Sequence, residues 1–65
     1  MITVNGQATD RREGETLLEL LKARGYRLDV IAVEYNGAIL KKEEFGTTLL
    51  HEGDKLEIVS FVGGG

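Results

Sequence analysis

The sequence predicts an α+β fold: a mixed sheet of four to five strands with one main helix packed on one face. Three observations carry this expectation. Within 65 residues, only the stretch after Thr16 has helical periodicity. The rest consists of short apolar runs, each bounded by one of six glycines: Gly6, Gly14, Gly25, Gly37, Gly46 and Gly53. The order is hairpin, helix, further strands and a last strand, and a helix of about nine residues can cover only one sheet face.

Ile2 and Val4 alternate with Thr3 and Asn5, as a strand does. Asn5-Gly6 is the favoured dipeptide of a type I′ hairpin turn, where both central residues need positive φ. The returning strand, Gln7 to Arg12, has Ala8 as its one apolar residue and is expected at a sheet edge. Thr16-Leu17-Leu18-Glu19 is a capping box, in which the threonine hydroxyl takes the Glu19 amide and the glutamate reaches back. Leu17, Leu20, Leu21 and Arg24 share a face, with Leu18 flanking. Lys22 and Arg24 suit the negative end of the helix dipole, and Gly25 sits where a left-handed terminator belongs. Ile31–Tyr35 reads as a strand, Asn36-Gly37 as a second hairpin turn, and Ala38–Leu40 as its short return. Lys41–Phe45 is polar with one apolar anchor, which predicts a helical turn. Thr47–Leu50 predicts a brief strand, Glu52-Gly53-Asp54 a turn, and Lys55–Val62 the strongest strand of the chain. Parallel pairing of the first and last strands at the sheet centre makes the fold a β-grasp, although no local pattern encodes that pairing.

A chain this short buries only about 60% of its unfolded surface, so its stability is modest. Its 42% hydrophobic content still supports a small core and argues against disorder. Without cysteine it has no disulfide framework and no thiolate metal site, and one histidine makes no metal cluster. A net charge of −3 opposes nucleic-acid binding and favours a basic partner surface. No apolar run has membrane-spanning length, and the strand-like start does not resemble a signal peptide. These features together predict a cytoplasmic protein.

The last strand feeds directly into Gly63-Gly64-Gly65. The division is therefore a domain over 1–62 and a flexible tail over 63–65. Glycine pays the most entropy to become ordered, and without a Cβ it passes through channels closed to other residues. Three extended residues reach about 10 Å. Gly63 and Gly64 are thus expected to thread into a partner, and the Gly65 carboxylate to be the group that reacts. Along the last strand Leu56, Ile58, Ser60 and Val62 alternate with Glu57, Val59 and Phe61. Val59 and Phe61, with Val62 beside the tail, are candidate docking residues; the alternative is that Phe61 packs under a loop.

The segments Ile2–Gly6, Thr16–Leu21, Ala32–Gly37 and Glu52–Asp54, together with the terminal Gly-Gly, resemble the thiamine-biosynthesis sulfur-carrier proteins, the ThiS family of the ubiquitin-like β-grasp group. The resemblance runs end to end. The chain departs from many members after the second Asn-Gly, where Lys41, Lys42 and Phe45 replace an arginine and a tryptophan. The resemblance implies a carrier rather than an enzyme. An E1-like adenylyltransferase, using ATP and magnesium, would convert the Gly65 carboxylate to an acyl-adenylate. Sulfur from a cysteine desulfurase or sulfurtransferase would replace AMP, and thiazole synthase would take the sulfur from the thiocarboxylate. The chain itself would bind no cofactor or metal and contribute no catalytic residue. The alternatives are the small sulfur-carrying subunit of molybdopterin synthase, a ubiquitin-like protein modifier, and a regulatory β-grasp module.

Other candidates have plainer explanations. His51, in a predicted turn, is a solvated histidine. Asp10, Glu13 and Glu15 precede the helix and suit its dipole better than acid–base work. The run Lys41–Glu44 is a solvated face, the Leu17-Leu20-Leu21 stripe is core, and Asn5 and Asn36 serve as turn residues.

Overall fold

The computed structural model describes residues 1–61. Five strands, β1 (Ile2–Val4), β2 (Gln7–Thr9), β3 (Ile31–Tyr35), β4 (Ala38–Leu40) and β5 (Lys55–Ser60), form one sheet in the order β2-β1-β5-β3-β4. The β1–β5 pair is parallel and every other pair antiparallel, which is the β-grasp arrangement. The last strand therefore lies at the centre, and β2 at an edge as expected.

Both hairpin turns have the predicted geometry. Asn5 and Gly6 take φ 51° and 82°, and Asn36 and Gly37 take 51° and 88°. Such values suit asparagine and glycine and cost other side chains energy.

Helix α1 (Leu17–Ala23) carries the full capping box: Glu19 N–H donates to Thr16 Oγ1 at 3.2 Å, and Thr16 N–H donates to Glu19 Oε1 at 2.9 Å. It ends in a Schellman arrangement around Gly25, with Tyr26 N–H on the Leu21 carbonyl and Gly25 N–H on that of Lys22. Seven residues are too few for an autonomous helix. Burial of Leu17, Leu20 and Leu21 holds it in place, each contributing about 1.5–3 kcal/mol. They meet Ile2, Val4, Val33, Leu56 and Ile58 from the sheet, with Phe45 and Leu50 closing the side. Arg24, grouped with the leucines by spacing, is exposed at the helix end.

The structure moves several of the expected boundaries. The β2 strand stops at Thr9 rather than Arg12, because its last partner is Ile2 at the start of β1. Its buried residue is Thr9, whose hydroxyl donates to the Gln7 carbonyl at 3.2 Å. The Thr47–Leu50 strand reduces to a single bridge between Thr16 and Leu49. The hydrogen bonds Leu17 N–H to Thr48 O and Leu50 N–H to Glu15 O flank that bridge, and α1 then leaves no extended partner. The helical turn expected at Lys41–Phe45 is present, as a 3₁₀ helix over Lys42–Thr47 with Phe45 as its buried anchor, and a further 3₁₀ turn, Leu28–Val30, precedes β3. Finally, β5 ends at Ser60 and Phe61 is already outside the strand, short of the expected Val62; Val62 itself, the domain boundary at 62/63 and the tail 63–65 lie outside the described residues.

Candidate functional site

The region leading to the tail is β5 and the residues that grip it. Thr3 N–H and Asn5 N–H donate to the carbonyls of Asp54 and Leu56 at 2.9 and 2.8 Å, zipping β1 to β5. At Gly6 the chain turns away, and the Asn5 carboxamide takes over the ladder. Its Oδ1 accepts the Ile58 N–H at 2.7 Å and its Nδ2 donates to the Ile58 carbonyl at 3.2 Å. On the other side Asn36 acts similarly: its N–H donates to the Lys55 carbonyl at 2.8 Å, and its Oδ1 accepts the Lys55 N–H at 2.8 Å. The last described residue is also tied down, with Phe61 N–H on the Val30 carbonyl at 2.7 Å. Sequence reasoning assigned the two asparagines to turns alone. Their side-chain roles depend on β5 lying beside both turns, which nothing local announces.

Asp54 anchors the entry to β5. Its Oδ2 accepts the Tyr35 hydroxyl at 2.6 Å and the His51 N–H at 2.7 Å, and its Oδ1 accepts Asn36 Nδ2 at 3.1 Å. Burial alone raises this carboxyl's pKa, but the bonds from Tyr35, the His51 amide and Asn36 outweigh it, so the group is held below the usual carboxylate range. Burial, followed by the bond to Asp54 and its charge, pushes the Tyr35 phenol up to about 12.

The predicted site residues separate into three sets. Val59 and Phe61 lie on the sheet face opposite α1, 57% and 67% exposed, so Phe61 does not pack under a loop. Val62, Gly63, Gly64 and Gly65 lie outside the described residues. The remaining polar candidates do not form a site. The His51 side chain is exposed. Glu15 is buried and closes the loop before the helix by accepting the Arg12 N–H at 3.0 Å, a local structural task rather than a dipole effect. Glu13 pairs with Arg11 at 3.5 Å. Among the described residues no three acidic or histidine groups converge on a possible metal position, and no helix is long and apolar enough to cross a membrane.

The strand that leads to the terminal glycines is thus held from both sides, and the fold that holds it is found in known proteins. The crystal structure of a thiamine biosynthesis protein (ThiS) from Geobacter metallireducens superposes with a TM-score of 0.79 at 37% identity, covering 98% of this chain and 97% of that one. The sulfur carrier protein ThiS of Bacillus subtilis is 33% identical over 66 residues, the match covering all of both chains. A thiazole synthase of Magnetococcus marinus is 38% identical over 64 residues, but that match takes in only 20% of its length, so the chain spans about a fifth of that relative. A thiazole synthase of Paramagnetospirillum magneticum shows the same proportion at 36% identity. The ThiS family pattern itself matches residues 2–65, and the chain belongs to the ThiS family.

Proposed function

We propose that the chain is a sulfur carrier of thiamine biosynthesis that bears the sulfur as a thiocarboxylate on Gly65. The observation that carries this proposal is the placement of Val59 and Phe61. Val59 sits on a central, doubly clamped strand and Phe61 directly follows it, both exposed and immediately before Val62-Gly63-Gly64-Gly65 in sequence. A rigid handle with a docking surface thus adjoins a segment free of side chains. Family membership and the end-to-end match to the Bacillus subtilis sulfur carrier support the same assignment.

The chemistry needs nothing from the carrier's side chains. A carboxylate resists nucleophilic attack because it is charged and resonance-stabilised. An E1-like adenylyltransferase supplies ATP with magnesium. A Gly65 carboxylate oxygen attacks the α-phosphorus, pyrophosphate leaves, and an acyl-adenylate forms. The terminal sulfur of a persulfide on a cysteine desulfurase or sulfurtransferase displaces AMP, giving an acyl disulfide. A thiol attacks the donor-side sulfur of that S–S bond, forming a new disulfide and releasing the thiocarboxylate, which thiazole synthase consumes. The carrier contributes positioning, holding the reacting atom on a tethered arm at high effective concentration. That a region like this chain forms a fifth of two proteins named thiazole synthase supports thiazole synthase as the acceptor.

The test is intact-mass spectrometry of the chain incubated with the activating enzyme, ATP, magnesium and a sulfur donor. The expected product is heavier by about 16 Da, sulfur for oxygen, located on the fragment containing Gly65. Conjugates through a lysine isopeptide, or no mass change, refute the proposal. Complementation of a thiamine auxotroph then separates it from a molybdopterin synthase subunit.

A further inference from the structure

The sheet face away from α1 carries an electrostatic arrangement that folding does not explain. Glu34 on β3 and Glu57 on β5 stand directly opposite each other in the antiparallel register. Like charges in that position destabilise a strand pair. Among the described residues neither carboxylate enters an ion pair, whereas Glu13, Asp29 and Glu52 all do. Together with Asn36, Gly37, Gly53 and Lys55, the pair lines a cleft of about 560 Å³. Two carboxylates against the one ammonium of Lys55 leave that cleft with one net negative charge. Ile39, 73% exposed, lies opposite Glu34 on the other side, and Val59 and Phe61 continue the face toward the tail.

We propose that this face is a docking site for a protein surface presenting an arginine beside apolar groups. The guanidinium enters the cleft and spans Glu34 and Glu57, while Val59, Phe61 and Ile39 bury against the apolar rim. The planar fork of arginine matches two carboxylates better than the point charge of lysine does. The occupant is a protein because the acid pair repels phosphate backbones and anionic lipid, and the exposed apolar residues give a small free cation nothing to contact. Binding also relieves the carboxylate repulsion that the free chain carries, so complementarity here serves partner choice and encounter rate. The inference rests on the sulfur-carrier assignment, and the partner is the enzyme that activates Gly65.

The experiment measures ATP–pyrophosphate exchange by the E1-like adenylyltransferase of the same organism against carrier concentration, at low and high salt. The carriers are the wild-type chain, the double variant Glu34→Gln with Glu57→Gln, and Glu43→Gln, an exposed charge on the 3₁₀ turn, as control. The double variant should raise KM about 5- to 10-fold with kcat unchanged and flatten the salt dependence, while Glu43→Gln matches wild type. Its Tm should hold or rise, since repulsion has been removed. Wild-type KM and salt dependence in the double variant overturn the inference while leaving the sulfur-carrier assignment standing. A lowered Tm overturns it as well, because the carboxylates would then be supporting the fold. No exchange with the wild-type chain overturns the sulfur-carrier assignment, and this inference with it.

Discussion

Replacing Asn5 isolates what a turn side chain contributes to the central strand. Asn5→Gly keeps the left-handed backbone, since glycine takes φ near 51° without strain, but removes both bonds to Ile58. Each is worth about 1 kcal/mol net, and the half-buried Ile58 amide and carbonyl pay part of a desolvation penalty once unpaired, so the loss should be about 2–3 kcal/mol. Asn5→Ala adds the cost of a Cβ at positive φ, about 1–2 kcal/mol more. Asn5→Asp keeps the acceptor for the Ile58 N–H but sets a carboxylate oxygen against the Ile58 carbonyl, and should rank with or below glycine. Total stability for this size is about 3–10 kcal/mol, so these are large fractions of it. Urea unfolding of the three variants, with amide exchange at Ile58, measures the effect. The Ile58 amide should lose protection more than that of Leu20 in α1. A loss under about 0.5 kcal/mol for Asn5→Gly, or unchanged exchange at Ile58, refutes the clamp.

Three further outcomes follow from the same contacts. The Tyr35 phenol is raised to about 12 in the fold, above its unfolded value of about 10, so its contribution is complete below pH 10 and is lost as pH climbs toward 12. Tyr35→Phe should remove that alkaline slope in urea titrations across pH 9–12, and an unchanged slope refutes the assignment. Asp54 has the opposite sign: its lowered value stabilises the fold above the unfolded carboxylate pKa of about 3.9, and the contribution is lost as pH falls below it. Asp54→Asn should therefore lower stability at pH 7 and flatten the acid limb of a thermal-melt series; equal acid limbs contradict the assignment. Phe61→Ala removes an exposed ring, so Tm should move little, within about 0.5 kcal/mol of stability, while KM for the activating enzyme rises; a large drop in Tm with unchanged KM would mean Phe61 is structural.

How far these residues could be read in advance depended on the range of the interaction involved. The capping box at Thr16 and Glu19 was legible because it closes within four residues. The β3–β4 hairpin was legible to its limits, because Asn36-Gly37 dictates both the turn and the register beside it. The exposed side of β5 followed from simple alternation, which put Val59 and Phe61 together and away from Leu56 and Ile58. The length of β2 was not legible, since a strand ends where its partner does, and β1 begins at Ile2, the partner of Thr9. Nor was the opposition of Glu34 and Glu57 visible, because it requires the register of two strands separated by the nineteen residues 36–54.

Taken alone, the sequence determined the local grammar: one capped helix, two asparagine–glycine turns, an alternating last strand, and a terminal run without side chains at Gly63-Gly64-Gly65. Backbone propensity, capping and period-two alternation act over a few residues, so each is written where it is used. Only the tertiary structure decided that β5 lies at the sheet centre, parallel to β1, and that Asn5 reaches a strand 53 positions away. Only it decided that two opposed carboxylates, without an ion pair among the described residues, share the open face with Val59. Strand order and register are set by how apolar faces bury together across the whole chain, and no short window of sequence contains both partners.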